Sequence, residues 1–359
     1  MKKYLLLLTF LSVIGNAQIV RKYSNEFLNI GAGARGLAMG GAVISNQNDV
    51  YAPMWNPAGL TEVESDWQGA AMHAEYFESI AKYDYISFAK ALDSKDGVLG
   101  ISIVRLGVDN ILNTTQMIDS EGNIDYDKIS KFSTSEYAGI ISYAFRPKKK
   151  KKLSVGINAK IVYRNIGKFA NGFGFGFDAG AIYRADSGYQ FGAMLRDATT
   201  TVNFWSINQK ELSAVVNGEE FNPAPKDKME ITMPKLNLGV SKNFEINRDL
   251  ELLPEAGLNV DFAKTAAVIS TDFASISPYL GAELSFQKMI FVRAGLNRFQ
   301  TVTDIEDLKR KVSMQPSAGI GIKYKGLTLD YAITNTGIGG SNYFSNFFSL
   351  KLDMRDFRY

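Results

Sequence analysis

The 359-residue chain has no cysteine, a single histidine and only nine prolines. The missing cysteine excludes disulfide scaffolds, thiolate metal sites and cysteine nucleophiles together. With His73 the one imidazole, zinc sites and histidine-based acid–base catalysis lose the ligands or partners they usually combine. Charge of one sign is scarce too: 40 Lys and Arg against 37 Asp and Glu leave a formal +3, and two of those positives are Lys2 and Lys3, so no nucleic-acid footprint is implied. Beyond the N-terminus no apolar run reaches the 18 or so residues of a membrane-spanning helix. What is present is 46% hydrophobic residues, 21% charged and 32 glycines, the composition of a folded protein.

The first residues read as a signal peptide (1–17), exported through the general secretory pathway. Lys2 and Lys3 supply a positive start, Leu5 to Ile14 an apolar core, and Gly15-Asn16-Ala17 a small-x-small cleavage site. Ten apolar residues are too few to span the hydrocarbon layer as a helix, and no cysteine follows for a lipid anchor. Two destinations remain open for an exported chain without a spanning helix: a soluble periplasmic protein or an outer-membrane barrel, whose strands need only about ten residues each.

Period-two alternation decides between them from Gln68 onward. Leu153, Val155, Ile157, Ala159, Ile161 and Tyr163 share one face, with Ser154, Gly156, Asn158, Lys160 and Arg164 on the other. A helix would scatter both sets around its circumference. The next stretch sets Phe173, Phe175, Phe177, Ala179, Ala181 and Tyr183 against Gly172, Gly174, Gly176, Asp178, Gly180 and Arg184, which suits a lipid-facing exterior and a crowded polar interior. Carried to the C-terminus, the pattern gives fourteen strands near 68–78, 82–92, 97–106, 133–146, 153–166, 172–184, 188–197, 233–244, 249–262, 277–286, 289–298, 315–325, 326–334 and 344–354. The number is even, as single-chain bacterial barrels require.

The connections sort by length in the same sense. Even-numbered strands end in short turns and odd-numbered ones mostly in longer loops, notably 107–132 and 198–232, with short exceptions at 79–81 and 167–171. Short periplasmic turns alternating with long extracellular loops are a barrel property. Tyrosine and phenylalanine near strand ends, among them Tyr143, Tyr163, Tyr183, Tyr189 and Tyr331, fit an aromatic girdle. The expected fold is therefore all-β: a 14-stranded antiparallel transmembrane barrel over residues 68–359, preceded by a plug or lumen segment over 18–67.

That segment is dense in small residues, with Gly33-Ala34-Arg35-Gly36-Leu37-Ala38-Met39-Gly40-Gly41-Ala42 followed by Trp55-Asn56-Pro57-Ala58-Gly59-Leu60. Small side chains let backbone pack against backbone in a confined lumen. Gly31, Gly33 and Gly36 match the spacing of a dinucleotide fingerprint, but no βαβ unit follows and position 56 is asparagine where an acid is needed. Arg35, Asn56 and Pro57 read first as structural, the arginine pairing with a lumen acid such as Asp178.

These two stretches resemble the N-terminal signature of the FadL-like outer-membrane barrels and, within them, the PorV/PorQ branch of the type IX secretion system of Bacteroidota. Further stretches such as "HAEYFESIAKYDYISFA", "RLGVDNILNTTQMID" and "LRDATTTVNFWSI" are similar to PorV-like paralogues, so the resemblance covers essentially the whole exported chain. It implies a non-enzymatic accessory of type IX export, docked on a SprA/Sov-type translocon or other components and receiving the C-terminal domains of secreted cargo. The family-motif residues are then Gly33, Arg35, Gly36, Met39, Gly40, Gly41, Trp55, Asn56, Pro57 and Gly59. The resemblance places docking on the extracellular rim, with Asp109, Asn110, Asp125, Asp127, Asn203 and Trp205 as loop candidates. The same likeness leaves a second function open, a transporter of hydrophobic small molecules using the lumen and a lateral gap. An open apolar pocket beside the N-terminal segment favours transport; a lumen filled by Asp178, Arg164, Lys160 and the plug favours docking.

No cofactor and no catalytic residue is assigned. Asp109, Asp119, Glu121, Asp125 and Asp127 in one loop allow a calcium site or an ordinary solvated loop, the spacing being wrong for an EF-hand. Lys148 to Lys152 is a solvated turn, or a contact for anionic headgroups of the outer-membrane lipid or for a periplasmic partner. His73 is expected as a hydrogen-bonded lumen residue.

Overall fold

The structure, a computed structural model, describes residues 24–63, 65–92, 97–216, 219–223, 225, 227–303, 309–337 and 343–354. The signal-peptide reading, the turn at 93–96 and the last five residues lie outside them. Fourteen antiparallel strands close on themselves: β1 (Trp67–Tyr76), β2 (Ala81–Ala91), β3 (Val98–Asn113), β4 (Ser130–Phe145), β5 (Leu153–Ile166), β6 (Ala170–Arg184), β7 in two pieces (Tyr189–Arg196 and Thr201–Ile207), β8 in two pieces (Met229–Thr232 and Lys235–Lys242), β9 (Leu250–Asp261), β10 (Ser275–Phe286), β11 (Ile290–Thr303), β12 (Arg310–Tyr324), β13 (Leu327–Asn335) and β14 (Phe344–Asp353). The β1–β14 ladder, Gln68 opposite Asp353 to Glu75 opposite Asn346, completes the ring and closes the barrel sheet on itself.

The alternation read from β5 and β6 falls as expected. Ser154, Asn158, Lys160 and Asp178 are buried, whereas Ile157, Ile161, Phe173, Phe175 and Phe177 are about half exposed on the outer wall. Ile86, Ile101, Ile103, Ile141, Val292, Ile320 and Ile322 continue that outer band around the barrel. So much unpaired apolar surface on a closed cylinder is what a lipid bilayer covers, and the fold is that of an outer-membrane barrel.

Two boundaries differ from the sequence reading in an informative way. β3 runs on to Asn113 and β4 begins at Ser130, so the loop expected at 107–132 shrinks to the residues between them. A bulge between Val108 and Ile111, with Asn110 at φ 60, keeps the two strands paired past the point where alternation falters. Likewise, residues 201–207 and 229–232, expected as loop, extend β7 along β6 and β8 along β7.

The segment from Ser24 to Val63 lies inside the cylinder. It is built of short pieces: α1 (Ala34–Ala38), α2 (Ala52–Trp55) and 3-10 turns at Glu26–Asn29 and Pro57–Glu62. Isolated helices this short are unstable in water, so the wall must hold them. It does so by close approach at glycine. A Cβ on Gly295 of β11 would lie 2.1 Å from the Met39 carbonyl carbon, and one on Gly156 of β5 would lie 2.4 Å from the Ala58 amide nitrogen. The two signature stretches of the segment thus rest in two wall seats that any side chain would fill.

Candidate functional site

The plug divides the lumen into an inner vestibule on the short-turn side and an outer chamber on the long-loop side. Around the vestibule the plug is held by charge. The Arg35 guanidinium donates from Nε to Glu283 (2.9 Å) and from Nη2 to Asn46 Oδ1 (2.7 Å), and Glu283 also accepts from Arg293 (2.5 Å), which reaches Asp330 at 2.7 Å. Burial works against the Arg35 charge, but the Glu283 carboxylate outweighs it and raises the pKa above its ordinary value. Asp49 accepts from Lys351 Nζ at 2.7 Å; burial opposes its ionisation too, and Lys351 with Arg35 nevertheless holds the carboxyl below the usual range. Arg35 therefore pairs with Glu283 and not with Asp178, because α1 packs on β11 to β14, on the far side of the barrel from β6.

A second anchor is a buried carboxylate from β9. Glu255 accepts from the Ile44 amide (2.7 Å), the Ser45 amide (3.0 Å), the Ser45 hydroxyl (2.5 Å) and the Asn46 side chain (2.8 Å). Towards β6 Asn56 donates to the carbonyls of Ile44 (2.8 Å) and Ala181 (3.1 Å), while its Oδ1 caps the Pro57–Glu62 turn through the Ala58 amide (3.2 Å). Arg196 donates from Nη1 to the Leu28 carbonyl (3.0 Å) and from Nη2 to the Met54 carbonyl. The plug is thus tied on all sides.

Gly31, Gly33 and Gly36 have a role that explains their dinucleotide-like spacing. Cβ atoms on Gly31 and Gly36 would lie 2.4 Å and 2.7 Å from the Trp55 indole, whose Nε1 donates to the Ala32 carbonyl at 2.6 Å. The glycines make room for a ring, not a phosphate. Gly40 and Gly41 turn the chain at φ 63 and 82, and Gly59 packs on the Gln47 carbonyl, so the ten motif residues all build the plug.

The outer chamber encloses about 620 Å³. Its floor is the top of the plug, with Phe27, Ile30, Leu37, Ile44 and Trp55; its apolar flank is Tyr76, Phe77, Leu106, Val108 and Phe347. The facing flank, on β8 to β13, carries Asn237, Asn259, Ser277, Asn297, Gln315 and Thr334. The vestibule, at about 480 Å³, is lined instead by Arg35, Asp49, Glu62, Arg184, Glu251, Glu283, Arg293, Lys351 and Asp353 among others. Of the two sequence-level discriminators, the structure contains both: an apolar pocket above the plug, and a filled sector beside it. In that sector Lys160 Nζ sits 2.7 Å from Asp178 and 2.6 Å from Asp197, and Arg164 joins Glu136 (2.5 Å) and Glu230 (3.1 Å).

The β7–β8 ladder is interrupted beside the chamber. Between its two pieces β7 carries the extra residues Asp197 to Thr200, two of them with positive φ, and opposite them β8 breaks at Met233 and Pro234, which line the chamber. Proline cannot donate to a ladder. The Lys160, Asp178 and Asp197 cluster pins this break from within.

The loop candidates scatter. Asp109 and Asn110 lie on the upper end of β3, Asp109 near Lys82 (3.6 Å). Asp125 caps the turn Tyr126–Lys128 and Asp127 is exposed in it. Asn203 and Trp205 are on β7 and face the lumen, not the rim: Asn203 donates to Ser24 Oγ (3.0 Å), and Trp205 donates to Glu230 (3.1 Å) with Arg164 over its ring. Among the described residues no group of three or more acids or histidines is placed to hold a metal; Asp119 spends its oxygens on Glu121 and Asn123. His73 is outside the lumen. It lies on the outer face of β1, 2.7 Å from Asp84, with Arg105 (3.1 Å) and Tyr137 next in the row. The sequence reading missed this because β1 packs its apolar Met72, Ala74 and Tyr76 inward against the plug and chamber, reversing the usual polarity of a barrel strand.

A plugged fourteen-stranded outer-membrane barrel with an apolar outer chamber is the class these features define. Solved structures share that fold: the toluene transporter TbuX of Ralstonia pickettii (13% identity, 90% of this chain and 98% of that one, TM-score 0.56), the CymD monoaromatic hydrocarbon channel (12%, 90% and 98%, 0.57) and a Pseudomonas aeruginosa FadL homologue (11%, 90% and 98%, 0.51). No protein-family model matches the chain, and no curated protein matches it either.

Proposed function

We propose that the protein admits small hydrophobic molecules to the outer membrane, with the outer chamber as their binding site. The chamber itself carries the reading: a partly enclosed volume of about 620 Å³, open towards the long loops and apolar on its floor and one flank, within the range of small-molecule sites. A hydrophobic molecule gains nothing by descending past the plug into a vestibule lined by Arg35, Glu283, Arg293 and Lys351. Its exit is sideways, at the break by Met233 and Pro234, into the surrounding membrane. The toluene transporter and hydrocarbon channel that share the fold support this direction. The test is uptake of radiolabelled naphthalene by intact cells of a host without FadL-type barrels. Expression should raise the initial rate, and Leu106→Asp in the chamber should abolish the gain; equal rates with and without the protein would refute the reading.

A second reading, docking within type IX secretion, is favoured by the family-like motif series and by one surface feature. His73, Asp84 and Arg105 form an ionic row on the outer wall of β1 to β3, where lipid gives charge no partner and a neighbouring membrane protein would. Cargo domains and a SprA/Sov-type translocon are the partners this reading names. Crosslinking from His73 and Arg105 in native membranes, followed by identification of the captured chains, tests it; capture of no type IX component, with surface cargo unchanged on deletion, would refute it.

A further inference from the structure

We infer that the turn between β4 and β5 is a binding seat for anionic phospholipid headgroups on the short-turn side of the membrane. The inference stands apart from the transport reading. Its ground is the run of five lysines, Lys148 to Lys152, which the fold leaves largely without counter-charge. The ion pairs at this corner of the barrel use two carboxylates: Glu62 is shared by Arg146 and Arg184, and Asp186 is taken by Lys152. Lys148, Lys149, Lys150 and Lys151 are exposed, and among the described residues none of the four forms an ion pair. Other lysines on the same rim are engaged. Lys288 pairs with Glu251 (3.1 Å), Lys242 lies over the Tyr189 and Phe244 rings, and Lys325 lies over Tyr324. Four adjacent ammonium groups repel one another, and an anion placed among them relieves that repulsion.

The turn is ordered and close to the bilayer, which favours lipid over a protein standing off in the periplasm. Lys150 donates its amide to the Pro147 carbonyl (2.8 Å) and its carbonyl accepts from the Leu153 amide (2.9 Å), so residues 147–153 make two successive β-turns. The Lys152 carbonyl accepts from the Arg184 amide (2.9 Å), which ties the turn to β6. At the adjoining strand ends Tyr143 and Phe145 stack with ring centroids 5.7 Å apart, and Tyr183 is half exposed on the outer wall. Such rings mark the level of the membrane interface. Lys148 follows Phe145 by three residues, at most about 10 Å of chain, and the polar layer of a bilayer is about 5–8 Å deep on each side. A double turn folded back on the strand ends therefore holds its ammonium groups among the headgroups. There each lysine adds to the attraction for an anionic surface.

Phosphatidylglycerol and phosphatidylcholine separate the alternatives, because both carry a phosphate and only the first keeps a net negative charge. The full chain in detergent is titrated with each lipid, and bound lipids are counted by native mass spectrometry. We expect phosphatidylglycerol to bind about tenfold tighter, with the preference shrinking as salt rises. The preference should disappear in the Lys148→Ser, Lys149→Ser, Lys150→Ser, Lys151→Ser variant. It should persist in Lys131→Ser, Lys210→Ser, Lys228→Ser, which removes exposed lysines on the long-loop side. Equal affinities in the wild type, a preference that ignores salt or survives in the quadruple variant, or one lost equally in the long-loop variant would overturn the inference. Sodium phosphate should displace no more lipid than chloride at matched ionic strength; stronger displacement would assign the turn to a free anion instead. Equal affinities together with an acidic periplasmic protein crosslinked to the turn in native membranes would assign it to that protein.

Discussion

The two ends of the lumen are built on opposite principles. The inner vestibule is a lattice of buried charge, Arg35 and Arg293 on Glu283 and Lys351 on Asp49, whose ion pairs hold the plug. The outer chamber sets apolar side chains such as Leu37, Leu106 and Phe347 against open volume, and its Lys235 is paired at the side with Glu26 and Asp261. A charge lattice is intolerant of losing one partner, because the other is left buried and uncompensated. A cavity lining has already forgone the contacts that a substitution would remove. The inner end is therefore the source of plug stability and the outer end the source of binding.

Substitutions should divide along that line. The largest effect is expected from Glu255→Leu, which leaves the Ile44 and Ser45 amides and two side chains without their acceptor. At about 1–3 kcal/mol for each buried group left unpaired, the plug should lose at least about 3 kcal/mol of anchoring. Planar-bilayer recordings should show a larger single-channel conductance than wild type; an unchanged conductance and melting temperature would erase the distinction between the two ends. Next is Lys351→Met, which strands the Asp49 carboxylate. A cost of about 2 kcal/mol is expected from its partly buried geometry, read as a lowered unfolding midpoint.

Acid sharpens the same contrast. The Asp49 carboxyl titrates lower in the folded plug than in the unfolded chain. Its stabilising contribution is thus complete above the unfolded carboxyl range near pH ~4 and disappears as pH falls through the depressed folded value. The stability gap between wild type and Asp49→Asn should be present at neutral pH and close below pH ~4; a gap that persists there would show that the Lys351 pair is not its origin. The smallest change in stability is expected for Leu106→Asn in the chamber, within about 1 kcal/mol, combined with a severalfold loss of naphthalene affinity. A large loss of stability with binding intact would invert the comparison.

Much of the fold was legible because a barrel wall is periodic. Where one face meets lipid and the other a polar lumen, as on β5 and β6, alternation places each residue and the strand ends follow. It fails where the plug replaces polar lumen. The inward Met72, Ala74 and Tyr76 of β1 made that strand's faces hard to tell apart, so His73 went to the wrong side. The upper ends of β3 and β4 were read as loop because bulging at Asn110 breaks the period. The plug itself was legible from small residues alone. Its holders were not: Glu255, Glu283 and Lys351 are more than 200 residues from the segment they bind. Their one trace in sequence is a charge at an inward position of a strand. The chamber left a comparable trace in Leu106 and Val108, apolar residues at inward positions near the outer end of β3.

The central claim is that the outer chamber receives a hydrophobic molecule and the inner vestibule does not. A crystal structure of the full chain soaked with 2-bromonaphthalene tests it directly through the anomalous signal of bromine. The expected result is a peak above the plug between Leu37, Leu106 and Phe347. A peak only on the outer wall or in the charged vestibule would contradict the claim.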